Sequence, residues 1–301
     1  MEKAIHIETV CQCNEVLGEA TLHPLVSIID LSKTNSEQCL PLKLGFYSIL
    51  LKEYTCECYA YGRKCCDYSD GTLIFSSPGE TVDIEEYNQK QISKGWLLVF
   101  HPDLITGTSL GMHIQDYTFF TYHKTEALHI SQREKKVFMR CLEIIGDELH
   151  RAIDRHSRIL VSRSIELLLD YCIRFYDRQF ITRNEENRNI LKKVEQIVDG
   201  CFFAGQVQMK GLPTASHCAE QLKMSSSYFV DLLKHDTGKT FHEYVQFKRI
   251  EIAKNWLTKT DKSILQIANG LGFSSSRYFS LLFKRISGCT PGEYRLSLIH
   301  I

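Results

Sequence analysis

Between about His23 and Tyr122 the apolar positions fall in short β-branched and aromatic runs: LVSIIDL, GFYSILL, ECYAY, GTLIFSS and GWLLVF. Turn signals such as Tyr61-Gly62-Arg63, Ser69-Asp70-Gly71 and Pro78-Gly79-Glu80 separate them. Runs at roughly 10-residue spacing predict an antiparallel sandwich or small barrel. The pattern then switches to a helical period. Ser131-Gln-Arg-Glu134 spells a capping box and opens a helix with Phe138, Cys141, Leu142, Ile145 and Leu149 along one stripe. A second helix, roughly Ser157 to Asp177, carries Ile165, Leu168, Leu169, Cys172, Ile173 and Tyr176 on one face. The two helices suit a hairpin, whose stripes serve either packing on the β domain or a dimer interface. The polar stretch 181–189, ITRNEENRN, reads as an interdomain linker.

The last third of the chain repeats itself. Ala219, Leu222, Met224 and Ser225 align with Ala268, Leu271, Phe273 and Ser274 at an offset of 49. After one inserted residue, Phe229, Leu232, Lys234, Gly238, Thr240, Glu243 and Tyr244 align with Phe279, Leu282, Lys284, Gly288, Thr290, Glu293 and Tyr294 at an offset of 50. In the second copy Ser263 and Gln266 form a capping box. Ile264, Ile267, Ala268 and Leu271 then make the apolar face of a short helix. Gly272 supplies a left-handed turn, Ala268 permits a close crossing, and Ser274 is placed to cap the next helix. That helix turns Tyr278, Phe279, Leu282 and Phe283 inward and Ser276, Arg277, Ser280 and Leu281 outward. The first copy repeats the plan with Thr214, Cys218, Ala219, Leu222 and Met224, then Phe229, Leu232 and Leu233. Each copy predicts a helix-turn-helix. The stretch FHEYVQFKRIEIAKNWL between them predicts a connecting helix packed through Val245, Ile250, Ala253, Trp256 and Leu257. About 17 residues of helix reach roughly 25 Å, a length suited to holding two recognition helices one DNA turn apart, near 34 Å.

Charge sharpens this picture. The chain has 301 residues, room for about two domains, and a formal net charge of zero. From Ile190 onward there are 15 Lys plus Arg against 9 Asp plus Glu, a net +6; the remainder holds 21 against 27, a net −6. A basic C-terminal third points toward nucleic acid. Near-average composition and the absence of a basic-then-apolar start or an 18-residue apolar run argue for a globular, cytoplasmic chain without a membrane span. Twelve cysteines without an export signal suggest free thiols, and none forms a CxxC pair. Cys11/Cys13 and Cys56/Cys58 have the spacing to share a strand face and, with Cys65/Cys66, are the thiols that a soft metal would draw together; Cys141, Cys172, Cys201 and Cys218 read as small core residues.

The segment Ile267 to Arg295, IANGLGFSSSRYFSLLFKRISGCTPGEYR, resembles the signature of AraC/XylS-type transcriptional regulators, and the resemblance extends over Ile190 to Ile301. The amino-terminal region is similar, more weakly, to the cupin-like sensor domains of that family, through GTLIFSSPGE and HPDLITGTSLG. The resemblance implies an α+β chain. A cupin-like antiparallel barrel or sandwich would span 1–130, a dimerising helical pair 131–180 and a linker 181–189, and 190–301 would form an all-α DNA-binding domain with two helix-turn-helix units. It implies base reading by Arg277 and backbone positioning by Lys234, Lys284 and Arg285. Shorter contacts would come from Ser226, Ser227, Ser275 and Ser276, with Val230, Asp231 and Ser280 on the same outer faces. The implied partners are double-stranded DNA, RNA polymerase, a second copy of the chain and a small effector such as a sugar or other metabolite. The resemblance implies an activator. Two departures stand out: Asp231 and Leu281 occupy outer positions that are often basic, and Lys223 replaces the turn glycine at a cost of about 1 kcal/mol.

Catalysis is not expected. No HxH motif occurs among the 12 histidines, so the metal site of a catalytic cupin is missing its usual spacing, and no metal or cofactor is expected. His101, His113, His123 and His129 are expected at the surface or in hydrogen bonds. GTSLG at Gly107 has no histidine placed to serve it, and GxGxxG and GxxxxGK[ST] loops are absent. A metal-dependent cupin enzyme with a DNA-binding tail and a constitutive DNA-binding protein without ligand are the alternatives.

Overall fold

The computed structural model describes residues 4–34, 41–53, 71–82, 84, 95–203 and 211–299. The chain divides into two compact units, Met1–Thr182 and Arg183–Ile301. No helix among the described residues is long and apolar enough to cross a membrane.

In the N-terminal unit, strands β1 (Ile5–Ile7), β3 (Leu42–Leu44) and β6 (Thr81–Val82) form one small sheet in the order β1-β3-β6. Strands β2 (Val26–Asp30), β4 (Tyr47–Lys52), β5 (Thr72–Ser76), β7 (Gly95–Phe100) and β8 (Leu128–His129) form a second in the order β2-β7-β4-β5-β8. The larger sheet is antiparallel throughout, as expected. The smaller one departs from that expectation, because β1 pairs with β3 in parallel. Side-chain alternation divides the larger sheet between two cores. Ile29, Leu50, Ile74, Leu97 and Val99 pack with Ile7, Leu42, Leu44 and Val82 of the smaller sheet and with Val10, Cys13 and Leu17 of helix α1 (Val10–Leu17). Phe75 and Phe100 face the other way and stack against Phe119, Phe120 and Tyr47, with ring centroids 4.4–6.4 Å apart. A sheet covered on both faces needs unbroken apolar runs, which is why GWLLVF carries no polar alternation.

Helix α1 was not expected. Thr9 and Gln12 form its capping box, and Gly18 closes it in the left-handed region. It places Cys11 at the surface and Cys13 in the core, where burial pushes the thiol up to about 12. The two are therefore on a helix and not on one strand face; Cys56, Cys58, Cys65 and Cys66 lie outside the described residues, as do ECYAY, Tyr61-Gly62-Arg63 and most of Ser69-Asp70-Gly71. No cluster of three or more His, Cys, Asp or Glu is placed to hold a metal among the described residues. The β reading also runs too far. After β7 come short helices α2 (Pro102–Ile105) and α3 (Ser109–His113), then 3₁₀ turns. Gly107 to Gly111 has the GxSxG spacing of a nucleophile elbow, but it runs from the turn after α2 into the first turn of α3 and not from a strand into a helix; Ser109 Oγ donates to Glu166 Oε1 at 2.8 Å. His101 and His113 are tied to local backbone, and His129 is held by Thr72 Oγ1 at 2.9 Å.

Helices α4 (Gln132–Leu149) and α5 (Ser157–Thr182) pair as the expected hairpin. The Ser131–Glu134 capping box forms, and all five residues of the α4 stripe are buried. On α5 the stripe holds except at Ile173, which is exposed while Cys172 takes the core position. A fork of Arg178 on Glu134, 2.8 and 3.0 Å, ties the pair together. The stretch 181–189 is helical: α5 continues to Thr182, and α6 (Asn184–Phe203) begins two residues later.

Candidate nucleic-acid interface

The C-terminal unit builds the repeat as two helix-turn-helix motifs. The first consists of α7 (Ala215–Gln221) and α8 (Ser226–Thr237), and the second of α10 (Ile264–Gly270) and α11 (Ser276–Ser287). Helix α9 (Phe241–Lys259) joins them and α12 (Pro291–Ile299) follows. Leading helices start on Thr214, whose Oγ1 accepts from His217 N at 3.2 Å, and on the Ser263–Gln266 capping box. In both motifs the turn closes back on the small residue of the leading helix. Met224 N donates to Ala219 O and Phe273 N to Ala268 O, each at 2.9 Å. Ala219 and Ala268 are fully buried, which lets the second helix cross closely.

Left-handed backbone sits at the same place in each turn, on Gly272 at φ 74° and on Lys223 at φ 54°. Lys223 is the one non-glycine with positive φ among the described residues, a strain of about 1 kcal/mol. The following helices are capped by Ser225 and Ser275, whose hydroxyl oxygens accept from Tyr228 N at 3.2 Å and Tyr278 N at 3.1 Å. The cap of α11 is thus Ser275 and not Ser274. The extra residue lies before the cap, so the 50-residue offset already applies there. Both helices end on a left-handed glycine, Gly238 or Gly288, whose N–H reaches back 2.8 Å to Lys234 O or Lys284 O.

Phe229, Leu232 and Leu233 are buried beneath α8, and Phe279, Leu282 and Phe283 beneath α11. Tyr278 departs from its expected place, being 47% exposed, while its counterpart Tyr228 is buried. The outer faces hold every residue singled out from the sequence. On α8 Ser226 and Lys234 are exposed, and Ser227, Val230 and Asp231 half-buried; on α11 Arg277, Lys284 and Arg285 are exposed, and Ser276 and Ser280 half-buried. Ser275 is exposed, but its oxygen serves the cap. Ser280 Oγ donates to Ser276 O at 2.9 Å, so its proton is engaged within the helix. Arg277 makes no hydrogen bond or ion pair with any described residue, and Leu281 lies beside it 62% exposed.

Helix α9 is buried along most of its length. Val245, Ile250, Ala253 and Leu257 are buried as expected, Trp256 is only half-buried, and Arg249 is a core residue that the sequence reading missed. Its guanidinium lies 3.5 Å above the Phe273 ring, donates to Leu271 O at 3.0 Å and to Gln246 Oε1 at 2.9 Å. Burial pushes its pKa down to about 10. One side chain thereby holds the connecting helix, the orphan carbonyl at the end of α10 and the turn of the second motif. Arg295 does the same at the far end, reaching Leu257 O and Lys262 O at 3.2 and 2.7 Å. Lys248 is ion-paired to Glu195, which fastens α6 to α9. A single arginine in an otherwise helical apolar stripe carries no distinct periodic signal, and only its position opposite Phe273 would have marked it.

Residues 218–297, which cover both motifs from the middle of α7 onward, match the family described as Helix-turn-helix domain. The chain carries an AraC-type helix-turn-helix domain. Relatives of this AraC-type domain include the uncharacterized HTH-type transcriptional regulator YtdP of Bacillus subtilis (strain 168), 37% identical over 82 residues, or 27% of this chain and 11% of that protein. The melibiose operon regulatory protein of Escherichia coli (strain K12) is 34% identical over 82 residues, 27% of each chain. Among solved structures, the C-terminal domain of the two-component response regulator yesN from Fusobacterium nucleatum is 31% identical, with 36% of this chain and 98% of that chain covered at a TM-score of 0.30. The chain therefore spans only a small part of the curated relatives named here, and the similarity is one of the AraC-type domain.

Proposed function

We propose that the chain is a transcriptional regulator that binds double-stranded DNA through both motifs of its AraC-type domain. The observation that carries this reading is the pair of outward helix faces, α8 and α11, set on the same caps and turns fifty residues apart and supplied with exposed cations. Arg277 reads a base edge, Lys234, Lys284 and Arg285 set the register on phosphates, and Ser226, Ser227 and Ser276 make short contacts. Val230 and Leu281 suit a thymine methyl. Asp231 disfavours phosphate and weakens the grip of the first motif. The N-terminal unit acts as the sensor of a small effector, RNA polymerase is the partner that reads the outcome, and a cytoplasmic location goes with these roles.

Dimerisation through the helical pair belongs to the same proposal. Helix α5 exposes Ile159, Leu160, Leu167, Ile173 and Ile181, and α4 exposes Ile144. Leu160 and Leu167 lie seven residues apart and Ile181 fourteen further on, with Arg174 at the position between, along one seam that a second helix covers.

The test is equilibrium binding of the full chain to duplex DNA as a function of salt. If Lys234, Lys284 and Arg285 neutralise phosphates, log K falls against log salt with a slope on the order of −3. A flat response would remove the electrostatic basis of the proposal.

A further inference from the structure

A cleft of about 410 Å3 opens between α4 and the edge of the larger sheet, within the size range of small-ligand sites. Its floor is apolar and comes from the sheet face turned toward α4: Val26 and Ile28 of β2, with Leu142 and Leu149 opposite. Trp96 stands at one end, in register beside Asp30 across the β2–β7 pair. The wall left open is at Gly146. A Cβ there would lie 3.9 Å from Ile28 Cδ1, so a side chain any longer would grow into the cleft.

The charge of the lining is one-sided. Glu19, Asp30, Glu143 and Asp147 contribute four carboxylates, and Lys33 is the one lysine or arginine. Lys33 is already ion-paired to Asp30 at 3.2 Å, and Glu19, Glu143 and Asp147 have no ion-pair partner among the described residues. The last turn of α4 also points its carbonyl end this way, the negative pole of the helix. His150 takes up one of those carbonyls, its Nδ1 lying 2.8 Å from Gly146 O.

We propose that this cleft binds an amphipathic organic cation, a small aromatic amine whose ring lies on Val26, Ile28 and Leu142 and whose ammonium faces Glu143, Asp147 and the Trp96 ring. An apolar floor alone would take any hydrophobe; the uncompensated carboxylates select the positive head, and an indole face adds a cation–π contact. As an effector site the cleft rests on the regulator reading above, whereas as a binding site it stands without it.

The experiment is calorimetric titration of the full chain, free of DNA, with 2-phenylethylamine, and with phenylacetate as the charge-reversed probe. Saturable one-to-one binding of the amine is expected, with none for the carboxylate. Glu143→Gln combined with Asp147→Asn, both at exposed positions, should weaken binding about tenfold or more. Gly146→Leu should abolish it by filling the cleft, with thermal melting confirming that each variant is folded. Failure of the amine to bind, equal binding of phenylacetate, or unchanged binding in folded Gly146→Leu would overturn the proposal. DNA affinity measured on the same preparations separates the two readings. Intact DNA binding without amine binding removes the cleft alone, and amine binding without DNA binding removes the regulator.

Discussion

The first motif rests its turn on Lys223 at φ 54° and the second on Gly272 at φ 74°. Beneath that shared backbone, the first buries Tyr228 while the second leaves Tyr278 half in solvent. On the outer face the first presents Lys234 beside Asp231, and the second Arg277, Lys284 and Arg285. One scaffold, built twice on the same caps, thus carries one motif with a strained turn and a weakly charged outer face and one with a relaxed turn and a basic outer face. The difference teaches that the backbone of the motif is fixed by a handful of caps, small residues and left-handed positions, while the exposed face is free to vary.

The largest effect that would sharpen this comparison is expected at Arg249, which anchors only the second turn. Arg249→Ala leaves Leu271 O and Gln246 Oε1 without a donor and opens space over Phe273, a loss of about 3 kcal/mol. Hydrogen exchange should show the amides of α10 and α11 losing protection before those of α7 and α8. Equal loss in both motifs would mean that they do not fold as separable halves around α9.

Much of this was legible in the chain. The Ser263 cap, the alanine-to-glycine turn and the Phe279, Leu282 and Phe283 stripe of α11 follow from spacing, because a helix end needs specific donors and acceptors and a buried stripe needs a 3.6-residue period; the α11 cap and Tyr278 do not, the one falling a residue later than expected and the other turning to solvent. Arg249 was not legible, since a buried guanidinium is defined by partners 3 to 24 residues away in sequence that only the fold brings together. The same holds for α1, where Thr9 and Gln12 spell a cap but the short apolar stripe of Val10, Cys13 and Leu17 is no stronger than a strand pattern. The region after β7 misled for another reason: Phe119 and Phe120 sit in a β-like aromatic run, yet they serve as packing for the aromatic cluster against β5 and α5.

Next in size is the contrast between outer faces. Arg277→Ala should cost about 1 to 3 kcal/mol of affinity for a selected site and relax preference at one base position. Asp231→Ala should strengthen binding by about 0.5 kcal/mol or less, with little change in sequence preference. Competition binding on a panel of single-base variants checks both. Equal losses in the two variants would erase the proposed division of labour.

The turn itself offers a smaller effect. Lys223→Gly should stabilise the chain by about 1 kcal/mol by relieving the left-handed lysine, and Gly272→Ala should cost at least as much. Urea unfolding of the C-terminal transition reads both signs.

The smallest effect is one of pH. Hydrogen bonds from Thr240 to Glu243, and from Thr290 to Glu293, hold both carboxyls below their ordinary 4.5. A depressed carboxyl stabilises the fold above its unfolded value and stops doing so as pH falls through its folded value. The starts of α9 and α12 should therefore weaken below pH 4.5. Glu243→Gln keeps the cap acceptor and should flatten part of that acid dependence in melts between pH 3 and 6, values bracketing the ordinary carboxylate range. An unchanged profile would show that the cap carries no linked proton.

The central claim is that both motifs seat in one duplex. Guanine-methylation interference and hydroxyl-radical footprinting of the full chain, on sites selected from random duplexes, test it directly. Two major-groove patches on one face of the DNA, about one helical turn or roughly 34 Å apart, are expected, with Arg277→Ala erasing contacts in only one of them. A single patch, or two on opposite faces, would contradict the account.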